Sequence, residues 1–172
     1  MESNMNDWNS GYITDLGYTY GYYAEMDPAR IKLVMTLAGY KTPEITTACE
    51  LGFGQGVSCN IHAAGGSAQW YGNDFNPKHA VFARQLGDAA GHTGKWFDDS
   101  FAEFAVRPDL PDFDFIGLHG IWSWVSRENH SEIVSFLRNK LRVGGIVYIS
   151  YNTLPGWSAF TPVRQLFHEY AH

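Results

Sequence analysis

The chain has 172 residues, of which 45% are apolar and 17% are charged. This length suits one domain, and so large an apolar fraction excludes a disordered chain. The formal charge of −6 argues against a nucleic-acid-binding surface, which needs stripes of Lys and Arg. Cys49 and Cys59 are too few for a disulfide framework or a zinc site, and we expect no metal.

The sequence shows neither a membrane span nor an export signal. No apolar run approaches the ~18 residues of a spanning helix. The first ten residues have no basic region and no apolar stretch, and a secretory signal requires both. We therefore expect a cytoplasmic protein.

A tyrosine-rich segment precedes the first predicted helix. The first 23 residues hold six aromatic side chains and no Lys or Arg. Such rings either pack as a buried arm or cover a ligand and exclude water from it. We expect residues 1–26 to form an arm or lid in which Tyr20 contacts the ligand, and residues 27–172 to form the main domain.

Helical patterns and apolar strand-like runs alternate after this segment. Asp27-Pro28 predicts the start of the first helix, which ends at Gly39. The further helices are predicted at 57–64, 77–90, from Ser126 to the Gly144-Gly145 pair, and at 162–170. The strands are predicted at 45–51, 67–74, 95–97, 113–119 and 146–151. This alternation predicts an α/β, Rossmann-like three-layer sandwich with a mostly parallel sheet.

The first strand runs into the glycine-rich segment Glu50-Leu-Gly-Phe-Gly-Gln-Gly, which a helix follows. Glycines let the backbone approach a ligand, and the helix N-terminus offers free N–H groups, although a plain turn would also explain them. The dinucleotide fingerprint G-x-G-x-x-G would need a glycine at Val57, and the G-K-[ST] ending of a phosphate-binding loop is missing.

Asp74 ends the second predicted strand, beside the glycine-rich segment. In a parallel sheet an acid at that place can accept the hydroxyls of a ribose. It can also simply cap the helix that follows.

The pattern Glu50-x-Gly52-x-Gly54-x-Gly56 resembles motif I of the class I S-adenosylmethionine (SAM)-dependent methyltransferases. SAM carries an ammonium and a sulfonium. An acid before the glycines attracts these positive groups, whereas it would repel a pyrophosphate. The resemblance implies SAM as cofactor, a strand order of 3-2-1-4-5, and contacts from these four residues, Asp74 and Phe75.

In such methyltransferases a residue after the third strand holds the amino group of adenine, and it is often an Asp. Asp99 matches that position best and Asp98 is the alternative. A solvated loop would explain both acids equally simply.

A closer resemblance rests on H-G-I-W-S-W (119–124) and S-Y-N-T-L-P-G-W (150–157), together with the tyrosine-rich segment. These runs resemble the bacterial methyltransferases that carry a methyltransferase regulatory domain, including outer-membrane-protein lysine methyltransferases. His119 ends the fourth predicted strand, whose carboxyl end faces the ligand, so we expect it near the methyl group or the acceptor. His119 and Tyr151 are the candidate bases. Trp122, Tyr151 and Asn152 are candidate acceptor contacts, against core packing and turn formation as the alternatives.

We expect in-line methyl transfer from SAM to an unidentified acceptor, which is a protein lysine, a small molecule or a glycan. A non-catalytic SAM- or nucleoside-binding module is the alternative. Class I sheets have seven strands and only five are predicted here, so we expect strands 6 and 7 to be lacking. The edge of the fifth strand would then be covered by self-association or by a missing C-terminal domain, and transfer by this chain alone would be weak or absent.

Overall fold

Five parallel strands form the central sheet in the computed structural model, which describes residues 18–170. The strands are β1 (Thr47–Leu51), β2 (Gln69–Asn73), β3 (Lys95–Phe97), β4 (Phe113–Leu118) and β5 (Leu141–Ile149). Their order is β3-β2-β1-β4-β5, and each neighbouring pair is parallel. The predicted fold class and strand order are therefore confirmed.

Residues 18–170 also form six helices and one short 3-10 turn, Ala24–Met26, and the second to fifth helices connect the strands. The helices are α1 (Pro28–Leu37), α2 (Val57–Gly65), α3 (Pro77–Ala90), α4 (Phe101–Ala105), α5 (Arg127–Lys140) and α6 (Thr161–Tyr170). The Asp27 and Asn76 side chains cap α1 and α3 by accepting backbone N–H groups, as their place before a proline predicts. No helix within residues 18–170 is long and apolar enough to cross a membrane.

Two local predictions were wrong. Helix α5 ends at Lys140, and β5 starts at Leu141, so Gly144-Gly145 does not stop the helix but lies inside the strand. The pairing with β4 shifts there, because Phe113 faces Leu141 whereas Phe115 faces Ile146. The glycine pair therefore lies in an irregular stretch where β5 has three more residues than β4, a feature that sequence patterns do not distinguish from a helix end. Helix α4 was missed, although its Ser-x-x-Glu capping box is readable in the sequence.

Apolar side chains pack on both faces of the sheet. Successive residues of β1 point to opposite faces, so Ala48 joins one core and Cys49 and Leu51 join the other. The first core includes residues of α2 and α3, and the second includes residues of α4 and α5. The sheet is thus the middle layer of three, as predicted.

Strand β5 forms one edge of the sheet, because among the described residues it pairs with β4 alone. None of its residues is buried. Helix α6 follows and also exposes large apolar side chains, namely Val163, Leu166, Phe167 and Tyr170. Within residues 18–170 the sheet has five strands, with the edge of the fifth uncovered.

The buried carboxylate of Asp114 ties together the amino-terminal end of the sheet. The N–H groups of Thr46 and Thr47 donate to its Oδ2 at 2.8 and 2.9 Å. Arg142 of β5 donates to its Oδ1 at 2.7 Å. Burial alone would raise the pKa of Asp114, but these hydrogen bonds outweigh it and hold the pKa well below its usual range.

We predict that Asp114→Ala lowers the free energy of unfolding by about 1–3 kcal/mol at pH 7, because buried N–H groups lose their acceptor. Asp112→Ala, which changes an exposed neighbour, should cost less than about 0.5 kcal/mol. Because the folded-state pKa is depressed, this contribution is present above the unfolded pKa of about 3.9 and is lost at lower pH. Urea unfolding of both variants at pH 7 and pH 3 measures it, and equal losses at pH 7 would contradict the prediction.

Candidate functional site

A cavity of about 330 Å³ lies at the carboxyl ends of β1, β2 and β4. Ligands of open α/β sheets bind at this edge, and the volume is in the range of small-molecule sites. Its lining includes Gly52, Gly54, Asn73, Asp74, Phe75, Asn76, His79, Ser100, Phe101, Gly120, Ile121, Trp124, Val125, Asn129 and Tyr18. The glycine-rich segment and the predicted ribose-binding acid therefore meet in one cavity.

The glycine-rich segment makes the tight turn that its composition predicts. Gly52, Gly54 and Gly56 all have positive φ, and Gly56 caps the N-terminus of α2. At Gly54 an added Cβ would lie 2.8 Å from the ring of Tyr18, so a larger residue there would collide with the chain above it. The turn can be built only with a residue that lacks a side chain at this point.

Asp74 is buried and holds the glycine-rich segment in place. Its Oδ2 accepts the Gly54 N–H at 2.8 Å, and its Oδ1 accepts the Asn76 N–H at 3.0 Å. The Nδ1 of His79 donates to the same Oδ1 at 2.9 Å. Asp74 is not the cap of α3, because Asn76 is, but it accepts the N–H of that capping residue. His79 is a neighbour that sequence reasoning missed.

Asn60 of α2, also missed from the sequence, joins this segment to β3 and to the residues before it. Its Nδ2 donates to the Gly56 carbonyl at 2.6 Å. Its Oδ1 accepts from His92 Nε2 at 2.7 Å and from Trp96 Nε1 at 3.2 Å. Because every one of these polar groups is paired, the network fixes the end of the glycine-rich segment rigidly.

Glu50 is buried at the end of β1 and has an unused oxygen. Only 2% of its surface is exposed, and its Oε2 has no hydrogen-bond partner among residues 18–170. Its neighbours across the sheet are Gly72 and Gly117, which add no side chain around it. Burial, and then the charge of Asp74, raise the pKa of Glu50 to about 8.

His119 lies beside Glu50 in a second, much smaller cavity of about 10 Å³, which also includes Gly52 and Tyr18. The ring of Tyr23 stacks on His119 with 3.8 Å between centroids. Burial lowers the pKa of His119, more than Glu25 raises it, so the imidazole is neutral near pH 7. Its Nδ1 is buried and has no partner within the described residues.

Part of the tyrosine-rich segment covers this edge of the sheet. Tyr18 lies over Gly54, and the Tyr23 N–H donates to Ser58 Oγ of α2 at 3.1 Å. Tyr20, which we predicted as the ligand contact, instead packs against Phe82 of α3 and does not line either cavity. Residues 1–17 of the predicted arm lie outside the described residues.

The two acids after β3 are engaged by cations that the sequence analysis did not pair with them. Both nitrogens Nε and Nη2 of Arg107 donate to the Asp99 carboxylate, Nη2 at 3.1 Å. Asp98 lies 3.5 Å from Arg84, and about half of its side chain is exposed. Neither acid lines the cavity, whereas the next residues, Ser100 and Phe101, do.

The predicted acceptor contacts lie around the site rather than in it. Trp122 packs against the ring of His130, with 4.3 Å between centroids, and lines a groove on α5. Trp124, by contrast, lines the main cavity. Tyr151 is 60% exposed, and the Asn152 N–H donates to Ser123 Oγ at 2.7 Å. The acceptor roles of Trp122, Tyr151 and Asn152 stay predictions.

No protein-family model matches the chain. It is 49% identical over 168 residues to an uncharacterized protein of Synechocystis, covering 95% of this chain and 33% of that protein. It is 31% identical over 149 residues to an uncharacterized protein of Rickettsia prowazekii, covering 81% of this chain and 56% of that protein. The chain therefore spans between a third and just over half of the length of these curated relatives.

Solved structures show the same architecture. PKMT2 from Rickettsia typhi, in complex with AdoHcy, superposes with a TM-score of 0.75 at 25% identity, covering 88% of this chain and 29% of that one. A SAM-dependent methyltransferase from Thiobacillus denitrificans, in complex with S-adenosyl-L-homocysteine, superposes with a TM-score of 0.57 at 17% identity, covering 92% and 60%. The chain has the class I SAM-dependent methyltransferase fold, as its glycine pattern implied.

The raised pKa of Glu50 predicts that stability falls as the pH rises. The folded state keeps this carboxyl protonated up to about pH 8, whereas the unfolded chain ionises it near pH 4.3. Its favourable contribution is therefore complete below pH 4.3 and lost as the pH rises to 8. Glu50→Gln should remove this loss, so the variant should gain roughly 2–4 kcal/mol relative to wild type between pH 4.5 and pH 8.

Urea unfolding of both proteins across that pH range measures the difference. Glu44→Gln, at an exposed position, is the matched control and should follow wild type. Parallel curves for wild type and Glu50→Gln would show that the Glu50 pKa is not raised.

Proposed function

We propose that this chain binds SAM at the cavity edge and serves as a SAM-dependent methyltransferase. The observation that carries the proposal is a set of buried polar atoms without partners in residues 18–170. Three of them lie at the carboxyl ends of the neighbouring strands β1, β2 and β4: Glu50 Oε2, Asn73 Oδ1 and His119 Nδ1. Buried polar groups are normally paired, so atoms left unpaired together at a ligand edge fit a polar ligand that supplies the partners.

The charge of the site favours a cationic ligand over a phosphate. The charge of Asp74 makes the local potential negative and is one cause of the raised Glu50 pKa, while Glu50 itself stays protonated up to about pH 8. Among residues 18–170, no lysine or arginine lines either cavity. An ammonium beside Glu50 would let this carboxyl ionise and would satisfy its unused oxygen.

The remaining walls suit a nucleoside. The Oδ2 of Asp74 accepts one N–H and has a lone pair left for a ribose hydroxyl, whereas Oδ1 already accepts from Asn76 and His79. Phe101, Ile121 and Val125 supply apolar surface on the other side of the cavity. This pairing of a carboxylate with an apolar slot fits a ribose joined to a flat base.

Bound SAM would supply a methyl group that its sulfonium already activates, so the chain has to orient the reactants and exclude water. Tyr18 and Tyr23 cover the edge at which Glu50 and His119 lie. His119 is neutral and has a buried, unpaired Nδ1. It is therefore the candidate that would take a proton from an acceptor arriving as an ammonium or a hydroxyl, with Tyr151 as the exposed second candidate.

The acceptor is a protein lysine, or a small molecule or glycan, and the cavity chemistry is compatible with each. The alternative function is a SAM- or nucleoside-binding module without transfer. One observation favours this alternative: Trp122, Tyr151 and Asn152 do not line the cavity. Binding and transfer therefore need separate experiments.

Calorimetric titration with S-adenosylhomocysteine tests binding. We predict that wild type binds and that Asp74→Ala binds about 10- to 100-fold more weakly, because a charged hydrogen-bond acceptor contributes about 1.5–3 kcal/mol. His79→Ala is the matched control, since it keeps the carboxylate and removes only its ring partner, and it should lose much less. Unchanged affinity in Asp74→Ala would refute the ribose role, and no binding by folded wild type would refute the proposed function.

Incubation with methyl-labelled SAM and lysine-containing proteins or small amines and alcohols tests transfer. If His119 is the base, His119→Gln, whose amide can still hydrogen-bond to the ligand, should keep its affinity for S-adenosylhomocysteine within a few-fold and lose about 10²- to 10⁴-fold in turnover. The pH dependence of any residual rate should also lose its histidine titration. Tight binding without transfer to any acceptor would favour the binding-module alternative.

A further inference from the structure

We propose that Asn73 determines the base specificity of the cavity by accepting a hydrogen bond from the 6-amino group of adenine. The inference rests on the proposed function, because it assigns the base-reading atom of the same nucleoside site. Sequence reasoning gave this task to Asp99 or Asp98.

The orientation of the Asn73 amide follows from its single side-chain partner. Its Nδ2 donates to the Asp99 backbone carbonyl at 3.0 Å. A carbonyl can only accept, so the NH₂ group must face Asp99 and the oxygen must face the other way. That oxygen, Oδ1, is buried and has no partner within residues 18–170.

The backbone of Asn73 is fixed from both sides. It ends β2, where it pairs with Leu51 of β1 and Phe97 of β3. Its carbonyl accepts the N–H groups of Gly52 at 2.8 Å and Phe53 at 3.2 Å. An acceptor held this firmly discriminates between ligands, because it cannot move to avoid a group that it does not fit.

The surroundings of Asn73 select a donor on a flat ring. Asn73 lines the cavity next to Asp74, the proposed ribose contact, and apolar Phe101 and Ile121 line it too. An isolated acceptor in such a place needs a donor from the ligand. Adenine offers its exocyclic amino group, whereas hypoxanthine has a carbonyl oxygen at that atom, which would repel Oδ1.

The two acids after β3 are poorly suited to the same task. The carboxylate of Asp99 is taken by Arg107, and its backbone carbonyl orients the amide of Asn73. Asp99 is therefore a positioning residue that acts through Asn73. Asp98 lies outside the cavity lining, near Arg84.

The test compares dissociation constants for S-adenosylhomocysteine and S-inosylhomocysteine, measured by calorimetry on the full chain. Wild type should prefer the adenosyl compound at least about tenfold. Asn73→Leu, of similar volume but with no acceptor, should bring the ratio to within about twofold. Asn73→Asp keeps the acceptor that faces the ligand and adds a charge, while an oxygen replaces the NH₂ group that faces the Asp99 carbonyl, so it should widen the preference. Asp98→Ala should keep the wild-type ratio.

Loss of the preference in Asp98→Ala, or its retention in Asn73→Leu, would overturn the assignment. If Asn73→Leu does not fold, an unchanged ratio in Asn73→Asp overturns it instead. Equal binding of both compounds by wild type refutes the base reading while leaving the proposed function intact. Failure of wild type to bind S-adenosylhomocysteine refutes both.

Discussion

The hydrogen bond from the Gly54 N–H to the buried carboxylate of Asp74 is the contact on which the site depends. It joins the turn after β1 to the residue that follows β2, so the two strands end at one place. The same carboxylate accepts the N–H of Asn76, the residue that caps α3. One buried charge thereby fixes the turn, the start of a helix and one wall of the cavity, and its cost of burial is offset by these donors.

Beside this well-paired acid the edge keeps polar atoms that the chain does not satisfy. Glu50, Asn73 and His119 each bury a hydrogen-bonding atom without a partner in residues 18–170. At the far end of the sheet Asp114 has the opposite surroundings, with both oxygens paired. Stability alone would favour pairing at both ends. The contrast between the two ends marks the carboxyl edge as the place where the fold gives up stability for a ligand.

The order of elements was readable from sequence because each element has a local cause. Asp27 and Asn76 stand before prolines at helix starts, and the apolar runs of β1 and β4 are bounded by turn residues. The β5 start was not readable, because Gly144 suits an irregular strand and a helix end equally well. An irregularity in strand pairing depends on the partner strand, which lies far away in sequence.

The sequence by itself determined the parallel sheet, the glycine turn and the acid after β2, since each follows from a local pattern. The strand order came from the resemblance of the glycine-rich segment to a methyltransferase motif. Only the tertiary structure decided which side chains are free to meet a ligand. Arg107, which follows α4, binds the carboxylate of Asp99. Arg84 of α3 lies 3.5 Å from Asp98. Tyr20 packs against Phe82 of α3, while Tyr18 lies over Gly54. Whether a polar atom is paired depends on residues distant in sequence, so a local pattern can name an acid or an aromatic ring but cannot show whether it is already engaged.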